Sequence, residues 1–221
     1  TSEPYEQLVL GRRGHFAFQV NVSGQKAHGS VYREGINAIE VASETILALQ
    51  KFPLKTHPFL GSEGLFVSSI EAQTVGLTVP DHCRFTLHYF SHPERAVETI
   101  QKELDDFLSL ITPKASLEAI LRPTPHPTGY FVEEDSSFVQ WVQKNAQKVL
   151  GHALPTVFAP SVADENVLFQ GLKVPVLAIA PIGGNSHQAG EWVNLDSLER
   201  VQKLYKRLVQ DFNRYATLSK Q

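Results

Sequence analysis

"HFAFQVNVS", residues 15–23, decides the fold. Phe16, Phe18, Val20 and Val22 alternate with His15, Ala17, Gln19 and Asn21, the period of two that a strand with one buried face requires. Downstream, "GINAIEVASETILALQKF", residues 35–52, spaces Ile36, Ile39, Ala42, Ile46 and Leu49 three or four apart, a helical stripe. Two further strand-like runs follow, "LFVSSIEA" (65–72) and "CRFTLHYF" (83–90), the second with Phe85, Leu87 and Tyr89 on one face. In "SHPERAVETIQKELDDFLSLI" (91–111), Ser91 and Glu94 have capping-box spacing, and Val97, Ile100, Leu104, Phe107 and Ile111 form the stripe of a second helix. The strand "LEAILRP" (117–123) completes β-α-β-β-α-β. That order predicts an α+β ferredoxin-like domain, an antiparallel sheet with its helices on one face.

Three prolines within "RPTPHPTGY", residues 122–130, mark an extended crossover between domains. After it, "SSFVQWVQKNAQKVL" (136–150) reads as a helix ended by Gly151, and "PTVFA" (155–159) as a short strand. A helical stretch "DENVLFQGL" (164–172) leads to "VPVLAIA" (174–180), whose unbroken hydrophobicity predicts a central parallel strand. The last helix starts near Asp196 with Leu198, Val201, Leu204, Leu208 and Phe212 inward. This half looks like part of an α/β sheet too small to be whole. The expected division is therefore 1–10 as the end of a first catalytic-domain segment, 11–124 as the ferredoxin-like domain and 125–221 as a later segment of the α/β domain.

Composition excludes several classes. The 221 residues are 42% hydrophobic and 19% charged, with net charge -3, so nothing favours a nucleic-acid partner. "RGHFAFQV" superficially resembles the aromatic RNP motif of RRM domains. That motif belongs to the third strand of its fold, however, whereas here it occupies the first, and the alternation buries its phenylalanines. The longest apolar runs are too short to span a bilayer, and no signal peptide is seen. The single cysteine, Cys83, allows no internal disulfide, and a reducing cytoplasm is the expected location. The chain has no methionine. Thr1 either follows a trimmed initiator or lies inside a longer polypeptide.

Chemistry concentrates in three blocks. "PIGGNSHQAGEWV" (181–193) places His187 after Gly183 and Gly184 at the end of "VPVLAIA", with Glu191 four residues on. Ligands collect beyond the carboxyl ends of strands in α/β sheets, and imidazole serves as base or metal ligand. The competing reading is a loop imidazole bonded to a neighbouring carbonyl. "SEPYE" (2–6) sets Glu3 before a proline, and "SGQKAHGSVYREGINAI" (23–39) sets His28 between small residues after the first strand.

In this order, the three blocks resemble the dinuclear zinc amidohydrolases that include acetylornithine deacetylase, succinyl-diaminopimelate desuccinylase, carboxypeptidase G and aminoacylase. The resemblance covers essentially the whole chain and implies metal-dependent hydrolysis of an N-acyl amino acid or small peptide, and a homodimer formed through the lid domain. It implies two zinc ions per complete site, with Co or Mn as possible substitutes. Glu3 becomes a terminal carboxylate ligand to one ion and His187 the terminal imidazole ligand to the other. His28 becomes a lid residue reaching across the dimer to the scissile carbonyl. Asn166, Gly183 and Gly184 become substrate-binding positions. The family's His-x-Asp motif, bridging aspartate and Glu-Glu pair lie upstream of the lid and have no counterpart here. The resemblance thus implies the lid and closing portion of a larger enzyme, inactive by itself. The alternative is a non-catalytic dimerisation or regulatory module of the same fold.

Three departures bear on substrate. Leu77 stands where the family's lid carries an asparagine, and Phe90 where it carries an arginine that helps hold a substrate carboxylate. Asn166 in "SVADENVLF" (161–169) likewise replaces an arginine. All three point away from an acidic substrate and towards a neutral one.

Overall fold

The structure, a computed structural model, describes residues 6–111 and 116–218. It divides into two compact units, residues 1–12 with 130–221, and residues 13–129. From β1 (Gln7–Arg12) the chain passes directly into the second of these. There β2 (Gly14–Ser23) and α1 (Ala38–Leu49) are followed by a small hairpin of β3 (Thr56–His57) and β4 (Gly61–Ser62). β5 (Gly64–Ala72), β6 (His82–Ser91), α2 (Val97–Ile111) and β7 (Ser116–Arg122) complete the unit.

Its sheet runs β5-β6-β2-β7 with every neighbouring pair antiparallel. Thus β6 lies between β2 and β5, the split βαβ arrangement of a ferredoxin-like domain. The alternation read in residues 15–23 sets the register. Phe16, Phe18, Val20 and Val22 are all buried, and Phe18 sits opposite Leu87 on one side and Leu121 on the other. Ile100, Leu104 and Leu108 of α2 and Ala38, Val41, Ala42 and Leu49 of α1 close this core. The α1 stripe is rotated from the one expected, because Ile39 is exposed while Val41 and Thr45 are buried. Asn37 caps α1, its Oδ1 accepting from the Ile39 N–H at 3.0 Å.

Ser91 does not cap α2. It is the buried last residue of β6, opposite Gly14, and the helix begins six residues later at Val97. Strand pairing over ten residues from Gly14 to Ser23 outweighs a local capping box there. The segment between β6 and α2 serves a buried polar cluster instead. The Glu63 carboxylate accepts from Tyr89 Oη at 2.6 Å, Arg95 Nε at 3.1 Å and the Lys55 N–H at 3.0 Å. Arg95 also bonds Glu103. Burial first, then the Glu63 carboxylate, push the Tyr89 phenol up. Glu63→Ala would leave Arg95 and Tyr89 without that acceptor, so we expect a loss of about 3–5 kcal/mol, read as a lower urea midpoint for this unit.

In the other unit, β8 (Tyr130–Phe131), α3 (Ser137–Leu150), β9 (Thr156–Ala159) and α4 (Asp164–Leu172) precede β10 (Ala178–Ala180). A two-stranded ribbon of β11 (Gly183–Gly184) and β12 (Trp192–Val193) and the long α5 (Leu195–Leu218) finish it. α3 has the expected ends: Ser136 Oγ accepts from the Val139 N–H, and Gly151 takes φ 83. β1 is the centre of the sheet, antiparallel to β10 and β8 and parallel to β9. The run 174–180 therefore differs from a central parallel strand. Only three of its residues form strand, antiparallel to β1, with Val174 exposed and Ile179 buried. Val201, Leu204 and Leu208 of α5 face the core, whereas Leu198 and Phe212 are exposed. Among the described residues no helix is long and apolar enough to cross a membrane.

Candidate active site

His28 follows β2 after residues 24–27 and caps a 3-10 segment, Gly29–Glu34, that is kinked at Val31. Its Nδ1 accepts from the Ser30 N–H at 3.2 Å and lies 2.8 Å from Ser30 Oγ. An Nδ1 that accepts leaves the proton on Nε2, so the neutral imidazole presents a donor there. The side chain is exposed. A backbone ladder fastens the loop: the Gly29 N–H donates to Leu77 O at 2.7 Å, and the Val79 N–H to Ala27 O at 2.9 Å. A Cβ at Gly29 would sit 3.1 Å from Leu77 O, so a small residue suits this approach. The ladder brings His28 and Leu77 together, two positions singled out from the sequence. Leu77 is 79% exposed and Val75, beside the left-handed Gly76, is 90% exposed. The segment that carries this apolar tip thus pairs through its backbone with the segment of His28, His28 itself lying opposite Thr78. Phe90 is partly buried, packed against His15 and Phe66.

His187 occupies the loop between β11 and β12, in left-handed conformation with φ 60. It is exposed and has no hydrogen-bond partner among the described residues. Gly183 and Gly184 lie in β11, and a Cβ on Gly184 would meet the Trp192 indole at 2.8 Å. The indole thus occupies the space that a side chain at Gly184 would need, and a Cβ at Gly183 would meet Trp192 O at 2.8 Å, so ribbon packing by itself accounts for both glycines. Asn166 is 1% exposed. Its N–H donates to Ala163 O and its Oδ1 accepts from the Ala163 N–H, both at 3.0 Å, so that oxygen starts α4 rather than facing a ligand. Glu3 lies outside the described residues. Among the described residues no three His, Cys, Asp or Glu side chains converge on a common point.

Sequence reasoning missed Glu6, a carboxylate 1% exposed at the mouth of β1. Arg200 of α5 donates to its Oε1 from Nε at 2.8 Å and Nη2 at 2.6 Å. Burial alone would raise this carboxyl, but its own backbone N–H, Ser197 and Arg200 together hold it below the usual range.

The M20-type peptidase dimerisation domain matches residues 10–128. The chain belongs to this family. Acetylornithine deacetylase of Proteus mirabilis is 27% identical over 225 residues, covering 93% of this chain and 54% of that protein. An uncharacterized metallohydrolase of Methanocaldococcus jannaschii is 26% identical over 139 residues, covering 62% of this chain and 39% of its own. Among solved structures, a tripeptidase from Staphylococcus aureus superposes with TM-score 0.73 at 18% identity, covering 94% of this chain and 54% of that one. These values place the M20-type chain on a shared fold. The chain spans about half the length of the curated relatives it matches.

Proposed function

We propose that this chain is the lid and closing catalytic portion of a metal-dependent amide hydrolase that acts, as a homodimer in the cytoplasm, on neutral N-acyl amino acids or small peptides. The observation that carries the reading is the His28 loop: an imidazole with its Nε2 donor free, held by backbone ladder to the segment that carries an apolar tip, within a domain of the M20 family.

The donor set fits zinc in kind. His187 is an exposed imidazole not consumed by a hydrogen bond among the described residues, and Glu3 would add a carboxylate. When bound, a pair of zinc ions supplies Lewis-acid polarisation of the amide carbonyl and lowers the pKa of a water. The chain's own residues do the rest. His28 donates its Nε2–H to the oxygen on which negative charge develops. Leu77 and Val75, exposed at their loop tip, would offer an apolar surface to a neutral substrate side chain. Leu77 and Phe90 supply no cation or amide for a substrate carboxylate, which is why a neutral substrate is favoured. Outer strands β5 and β7 have no further strand paired to them among the described residues, and pairing such an edge about a twofold axis is one way to build the dimer.

The test uses the complete reading frame. We expect a dimer in sedimentation, hydrolysis of N-acetyl-leucine well above N-succinyl-diaminopimelate, and loss of both activities on treatment with a chelator. A dimer that takes up no metal and hydrolyses neither compound would instead establish a non-catalytic dimerisation module.

A further inference from the structure

We infer that Glu6, Ser197 and Arg200 are positioning residues for the loop of His187: a buried clamp that ties the base of the β11–β12 ribbon to strand β1. The inference rests on the reading of His187 as a ligand given above.

The ribbon cannot position its own loop. β11 and β12 are two residues each, and residues 185–191 are exposed throughout. His187 and Asn185 both hold left-handed backbone. Within the loop the bonds are local, from the Gln188 N–H to Asn185 O and from the Glu191 N–H to Gln188 O. Placement in space therefore falls to the base.

There the connections are continuous. The Asn194 N–H donates to Ile182 O at 2.9 Å. The Ile182 N–H donates to Ser197 Oγ at 2.8 Å, and the Ser197 N–H to Asn194 Oδ1 at 2.8 Å. With its oxygen accepting from Ile182, the Ser197 hydroxyl has its proton for the Glu6 carboxylate, which Ser197 and Arg200 together help hold in its charged form. Arg200 fixes the same carboxylate from one helical turn further along α5. Glu6 immediately precedes β1 and lies three residues beyond Glu3. One carboxylate thus links the ribbon that carries one candidate ligand to the strand that follows the other.

Stability alone does not call for this device. An apolar group can fill a buried site without the cost of desolvating a carboxylate, and replacement of buried ion pairs by apolar residues is often neutral or better. What an apolar group cannot supply is direction. Hydrogen bonds to ligating side chains set metal affinity strongly, by about 10–100-fold on removal, and the clamp acts on the same geometry one step further out, through the segment that carries the ligand.

The experiment uses the complete protein stripped of metal and titrated with Co2+ alone, reading dissociation constants and the visible absorption spectrum. Ser197→Ala and Glu6→Gln are expected to weaken one Co2+ site about tenfold or more and to alter its spectrum. Leu208→Ala, a core change away from the clamp, is expected to lower the thermal midpoint and leave both readouts alone. Arg200→Gln, at a residue whose side chain is 41% exposed, serves if Ser197→Ala does not fold. Unchanged affinity and spectrum in the clamp variants, with only the midpoint lowered, overturns the inference. His187→Ala separates the two levels. If it loses a Co2+ site while the clamp variants do not, the inference alone fails. If it loses none, the ligand assignment fails and takes the inference with it.

Discussion

His187→Ala in the complete protein should roughly halve the zinc bound per subunit and abolish turnover, because a terminal imidazole is one of few protein ligands to its ion. The measurement is metal analysis after exhaustive dialysis. Backbone strain offers a control. His187 sits at φ 60, where residues other than glycine pay about 1–3 kcal/mol. His187→Gly relieves that strain while removing the same ligand. If the residue is a ligand, both variants lose zinc equally although glycine leaves the loop no worse in conformational energy. Full zinc in both would return His187 to the status of an ordinary loop histidine.

How far these sites were legible in the sequence depended on how local their causes are. The alternation in residues 15–23 survives intact because one face of β2 meets two helices and the pattern needs no distant information. The ends of α3 were readable for the same reason, since Ser136 and Gly151 act on their own helix. Ser91 misled because its capping spacing competes with a strand pair seventy-seven positions away, from Gly14, and the pairing wins. In "VPVLAIA" the apolar run signals burial, but its direction relative to β1 is a property of the topology and not of the run. Glu6 gave no local signal at all. A glutamate before an apolar strand ordinarily reads as solvated, and its partner Arg200 lies 194 residues away. Asn166 was visible as a departure from the family pattern, but its structural work at the start of α4 was not, because Ala163 has no capping side chain to mark the helix start.

The second large effect concerns His28, and it needs variants that separate its two jobs. Its Nδ1 caps the turn at Ser30, while its Nε2 is the proposed donor. His28→Ala removes both. His28→Asn keeps an acceptor near the Nδ1 position but its amide N–H stops short of the Nε2 position, whereas His28→Gln keeps a donor near Nε2. We therefore expect kcat to fall about 100–1,000-fold in His28→Asn, the usual cost of losing one oxyanion donor, with zinc content unchanged and His28→Gln less impaired. Preserved turnover in His28→Asn would refute the role. Whether the donor acts within its own subunit or across the dimer follows from mixing two inactive proteins. In a mixed dimer of His28→Ala and His187→Ala, the first subunit keeps its ligand and the second keeps its donor. If His28 reaches across, one site per mixed dimer is complete. Random reassortment then restores about a quarter of the unsubstituted activity, because half of the dimers are mixed and each has one working site of two. If His28 serves its own subunit, every site lacks either donor or ligand and mixing restores nothing.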